Sequence, residues 1–77
     1  VGGWCLKLPA IHNAGLPDRL CLFPGGEVVF VELKAFGKKP RKIQTLMHQK
    51  LKAMGFRVEV IDTTMGCKML ALEYDRK

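Results

Sequence analysis

The sequence predicts a small α/β domain, a mixed β-sheet flanked by helices. Three observations carry that expectation. An apolar run after Asp18 and a second run, Val28-Val29-Phe30-Val31-Glu32-Leu33-Lys34, are joined by a Pro24-Gly25-Gly26 break, the pattern of two strands and a hairpin. Ile43, Leu46, Met47, Leu51 and Met54 then recur at helical spacing between Pro40 and Gly55. Phe56 to Ile61 alternates again, as a half-buried strand does.

Size and composition bound the rest. Seventy-seven residues make one domain, 1–77, with a core small enough to welcome a partner subunit. An apolar share of 48% argues against disorder. No apolar run approaches the roughly 18 residues of a membrane span, and no secretory segment is visible. The net charge of +6 favours a polyanionic partner. Its distribution is more specific, because no acid occurs between Glu32 and Glu59 while Lys34, Lys38, Lys39, Arg41, Lys42, Lys50, Lys52 and Arg57 do. Cys5, Cys21 and Cys67 match neither a zinc pattern nor a disulfide framework, and read as three reduced core residues of a cytoplasmic protein.

Taken in order, Trp4 to Leu8 forms a first strand, with Lys7 a charge on an edge. Pro9 to Gly15 is a loop that includes His12, a lone histidine of the kind usually found on the surface. Pro17 suits the first position of a strand. After the hairpin, Ala35 to Lys39 is a basic loop containing a glycine, and Pro40 suits the first turn of a helix. That helix would bury the Ile43, Leu46, Met47, Leu51 and Met54 stripe. Beside it runs a polar stripe of Gln44, His48 and Lys52, which the spacing alone turns to solvent. Asp62-Thr63-Thr64 caps a last helix from Met65 to Glu73, on which Cys67, Met69 and Leu70 are apolar.

The chemistry gathers in the hairpin. Strand alternation puts Val28, Phe30, Glu32 and Lys34 on one face and Val29, Val31 and Leu33 on the other. A two-residue turn would pair Asp18 with Leu33. A three-residue loop of Pro24, Gly25 and Gly26, with a left-handed glycine, pairs Asp18 with Glu32 instead, and this register is the expected one. Carboxylates that face each other across two strands repel unless something positive lies between them. A divalent cation is the natural occupant.

These residues resemble the VRR-NUC (virus-type replication-repair nuclease) branch of the PD-(D/E)XK nucleases. The resemblance runs from about Gly3 to Val60 and rests on Gly15-Leu16-Pro17-Asp18, the hairpin, Glu32-Leu33-Lys34 and Gln44 in the following helix. It implies a restriction-endonuclease-like core and metal-dependent, structure-specific DNA endonuclease activity. Asp18, Glu32, Lys34 and Gln44 would be catalytic, and Asp18, Glu32 and the Leu33 carbonyl would hold Mg2+ or Mn2+. Lys38, Lys39, Arg41, Lys42, His48 and Lys52 would grip the nucleic acid through phosphate rather than sequence. The stand-alone members act on branched DNA, including four-way (Holliday) junctions, as homodimers, commonly in phage or bacteria. Members also carry a helix ahead of the first strand with a glutamate that supports the metal site, and no such helix is read in residues 1–77. Two rival readings share the basic face: a nucleic-acid-binding module without turnover, and a structural ion-pair network of Asp18, Glu32 and Lys34.

Overall fold

A computed structural model of the chain describes residues 3–9 and 15–75, with side chains to 73. His12, Arg76 and Lys77 lie outside the described residues. The elements are β1 (Trp4–Lys7), β2 (Arg19–Phe23), β3 (Glu27–Leu33), α1 (Lys42–Ala53), β4 (Arg57–Ile61) and α2 (Thr64–Asp75). The strands form one sheet in the order β1-β2-β3-β4. The first three are antiparallel, and β4 joins β3 in parallel. A parallel neighbour needs a crossover, and α1 supplies it.

The hairpin has the expected odd loop. Phe23 pairs with Glu27 and Arg19 with Val31, which leaves Pro24, Gly25 and Gly26 as the connection. Gly25 and Gly26 both have positive φ, at 90° and 80°, a conformation that strains residues with a Cβ. One further step of this register brings Asp18 opposite Glu32.

The two sheet faces divide the labour. Cys21, Phe23, Val29, Val31, Ile61 and Leu70 form the apolar core on the α2 side. Val28, Phe30 and Glu32 alternate to the other face, where Phe30 meets Phe56 edge-on at 5.5 Å and where α1 lies. Gly15 has φ +88° and passes so close to α1 that a Cβ would stand 2.8 Å from the Ile43 carbonyl oxygen. The segment leading to Asp18 is thereby pressed against the start of the helix.

Three expectations are corrected. First, α1 starts at Lys42 with Arg41 as its N-cap, so Pro40 precedes the helix. Its buried residues are Gln44, His48 and Leu51, while Ile43, Leu46 and Met54 are exposed. The helix is rotated toward its polar stripe because Gln44 and His48 find Glu32 beneath them; of the apolar stripe Leu51 stays buried and Met47 half-buried, while Ile43, Leu46 and Met54 turn outward. Second, Cys5 and Cys21, directly opposed across β1 and β2, are joined by a disulfide rather than reduced. Opposed strand residues bring their Cβ atoms close enough to bridge. Third, Cys67 is exposed, as are Met65, Met69 and Leu72, which leaves Leu70 as the α2 residue buried in the core. Met65 to Glu73 does lie within α2, and Thr63 caps it by accepting the Gly66 N–H at 2.9 Å. No helix among the described residues is long and apolar enough to cross a membrane.

Candidate active site

Four elements converge at the C-terminal end of β3. Pro17, fully buried, leads into Asp18 at the mouth of β2. Asp18 ties three strands together: its carbonyl accepts the Leu8 N–H at 2.8 Å, and its Oδ1 accepts the Leu33 N–H at 3.0 Å. The N–H and C=O of one strand residue face the same neighbour, so the Leu33 carbonyl also looks toward Asp18. Arg19 bends back along its own strand and sets a guanidinium nitrogen 3.6 Å from Asp18 Oδ2.

Glu32 is the centre of the cluster, with its side chain 5% exposed. Gln44 Nε2 donates to Glu32 Oε2 at 3.2 Å. The Gln44 Oε1 atom accepts the Arg41 N–H at 2.8 Å, half of a capping box, so both ends of the amide are fixed. Lys34 Nζ lies 3.6 Å from Oε2, and His48 Nε2 lies 3.9 Å from Oε1. Glu32 Oε1 and His48 Nε2 are buried and have no hydrogen-bond partner.

The charges carry the same message. Burial first, and the nearby Asp18 carboxylate second, push the Glu32 carboxyl above the ordinary glutamate range, against the pull of Lys34 and Gln44. Burial, then Lys52 and Lys34, push the His48 imidazole below the ordinary histidine range. A buried carboxylate that faces a second acid and keeps one oxygen unpartnered is suited to a cation. Among the described residues no three or more His, Cys, Asp or Glu side chains are grouped so that they alone could hold a metal ion. Asp18, Glu32 and the Leu33 carbonyl would offer an all-oxygen set, which a hard ion such as Mg2+ would complete with water.

The sequence-predicted residues divide cleanly. Asp18, Glu32, Leu33, Lys34 and Gln44 come together. Lys38, Lys39, Arg41, Lys42 and Lys52 are exposed around and along α1. His48 departs from that group. Its side chain is 7% exposed, which removes it from the outer face and seats it beside Glu32. The i, i+4 spacing from Gln44 was the available signal, since residues four apart share a helix face.

An α/β sheet that carries an acid on one strand and Glu-x-Lys at the end of the next has the restriction-endonuclease-like architecture. No protein-family model matches the chain. A solved structure described as "VRR_NUC domain" superposes with a TM-score of 0.82 at 31% identity, covering 95% of this chain and 80% of that one. "Putative nuclease p44" of Acyrthosiphon pisum secondary endosymbiont phage 1 is 41% identical over 63 residues, or 82% of this chain and 68% of that protein. The chain belongs to the VRR-NUC family.

Proposed function

We propose that this chain is a metal-dependent DNA endonuclease that hydrolyses phosphodiester bonds. The observation that carries the reading is the buried Glu32 carboxylate, opposite Asp18, with one oxygen unpartnered and Lys34 and Gln44 at the other. Asp18, Glu32 and the Leu33 carbonyl would hold Mg2+ or Mn2+. The bound ion would supply a more acidic water and polarise the phosphate. Lys34 brings an ammonium to the place where negative charge develops on phosphorus oxygens. Gln44, clamped at both ends of its amide, holds Glu32 in orientation and presents a polar surface to the phosphate or the attacking water. Lys38, Lys39, Arg41, Lys42 and Lys52 attract the DNA backbone without reading sequence, so binding should weaken steeply with salt.

Branched DNA, including the four-way junction, is the proposed substrate class, with a homodimer as the acting form. A two-fold pair of sites suits a symmetric junction. The exposed Ile43, Leu46 and Met54 of α1 support a second copy, since they are apolar surface that a partner would cover. The proposed setting is the cytoplasm of a bacterial or phage-infected cell, where the Cys5–Cys21 bridge would meet a reducing thiol pool.

The test is to incubate the protein with labelled linear, flap and four-way DNA, with and without Mg2+ or Mn2+. Asp18→Ala and Lys34→Ala should lose cleavage while retaining DNA affinity. No cleavage of any substrate with either ion would leave a DNA-binding module on the same fold. Absence of divalent-metal binding by calorimetry, with unchanged DNA affinity in the variants, would reduce the cluster to a structural ion-pair network.

A further inference from the structure

Gln44 and His48 lie one turn apart on α1 and approach the Glu32 carboxylate from the same helix face. Gln44 holds Oε2 by a hydrogen bond of 3.2 Å. His48 Nε2 stands 3.9 Å from Oε1, and both of these atoms are buried without a partner. That gap is too long for a hydrogen bond, and it falls short of the roughly 4.5 Å that a water bridging two bonds at a tetrahedral angle would need. Folded proteins rarely leave two such groups facing each other unpaired. A side chain kept only to fill space would be apolar here, because a buried imbalance of polar atoms is costly.

We propose that His48 is a positioning residue for Glu32: it donates its Nε2–H to Oε1, closing the gap as the carboxylate takes up its cation. Gln44 and His48 then grip one oxygen each, and Glu32 is left a single orientation in which to meet the ion. Groups behind a carboxylate ligand tune affinity in this way at many metal centres. The inference rests on the reading of Glu32 as a cation ligand.

Calorimetric titration of the full chain with Mn2+ tests it. His48→Leu should weaken Mn2+ binding by about 10–100-fold. His48→Gln, whose amide keeps a donor, should restore most of the loss, and DNA binding in EDTA should be the same for all three proteins. Wild-type Mn2+ affinity in His48→Leu overturns the assignment, as does a His48→Gln variant no better than His48→Leu. The unmodified chain gives an independent reading through the ¹⁵N shifts of the His48 ring, metal-free and with Mg2+. A protonated Nε2 in the Mg2+ form is expected, and a bare Nε2 in both forms overturns the proposal. A wild-type chain that takes up no Mn2+ overturns the proposed function and this inference together. Uptake lost in Asp18→Ala but kept in His48→Leu overturns this inference alone.

Discussion

The two helices flank the same sheet and share a length of 12 residues, yet they are held in different ways. α1 turns two polar side chains inward, Gln44 and His48, together with Leu51, and leaves Ile43, Leu46 and Met54 outside. α2 contributes Leu70 to the apolar core and lies over a cavity of about 270 Å³ lined by the bridged Cys5 and Cys21, Phe23, Cys67 and Leu70. Apolar burial favours a helix in proportion to area and says little about its rotation. A buried amide or imidazole is more demanding, because it costs free energy unless it reaches a partner. On the α1 side the rotation is therefore set by the site, and on the α2 side by loose hydrophobic contact.

That contrast can be broken at several points. The largest effect should come from the site face, where Lys34→Ala lowers cleavage about 10²–10³-fold by removing one electrostatic stabiliser. Met69→Ala on the exposed side of α2 should leave the rate unchanged, and parallel initial-rate assays on one DNA substrate would show whether the two faces differ this sharply. Next comes the tether beneath α2. Cys5 and Cys21 are separated by 16 positions, and a loop of that size is worth about 3 kcal/mol in the chain-entropy account. A Cys5→Ser/Cys21→Ser chain should lose about that much in urea melts. Equal midpoints would show that the bridge is not a stabilising element.

A smaller difference separates Leu51 from Leu70, both buried. Leu51→Ala should cost about 3 kcal/mol and Leu70→Ala about 2, since the latter only enlarges space already present. The reverse order in denaturant titrations would mean that α2, not α1, carries the tighter packing. The finest effect is on pH. In EDTA, the raised Glu32 value means that the native state holds a proton the unfolded chain has already shed. Stability should then fall as pH rises from the ordinary glutamate range through that raised value. Glu32→Gln should flatten this slope in melting temperatures, and a slope that survives would place its origin elsewhere. His48 works in the opposite direction. Its lowered value makes the unfolded chain protonate first, so stability is lost on acidification below the ordinary histidine range.

Much of the architecture was legible because strand alternation and loop length are local. The odd hairpin loop follows from Pro24-Gly25-Gly26 and fixes Asp18 opposite Glu32. Of the candidate residues, Asp18 and Glu32 lie opposite each other as the hairpin register suggests, Lys34 follows Glu32 on the same face, and Gln44 reaches Glu32 as the resemblance, not the spacing, implies. The rotation of α1 was not legible in the same way, since its apolar stripe was the stronger periodic signal and only Glu32, on another element, could outweigh it. For the same reason the spacing places His48 on the right stripe yet turns that stripe to the outside. The Cys5–Cys21 bridge depends on the pairing of β1 with β2, and a spacing of 16 residues across a loop does not reveal it.

The Gly25-Gly26 tip is exposed, and a Cβ at either glycine would meet nothing within 4 Å, the kind of place where chains ordinarily accept an added or deleted residue. Here it would be among the least tolerant sites in the molecule. Losing one glycine would leave a two-residue Pro-Gly connection, whose proline cannot take the positive φ of the favoured two-residue turns; re-forming a three-residue loop would then slide β2 against β3 by a single step, and every side chain of one strand would change sides. Glu32 would then point among Val29 and Val31's neighbours on the oily side, or Asp18 would turn its back on it. A length change at the outermost turn would thus erase the acidic pair at the opposite end of the strands, with no site residue altered.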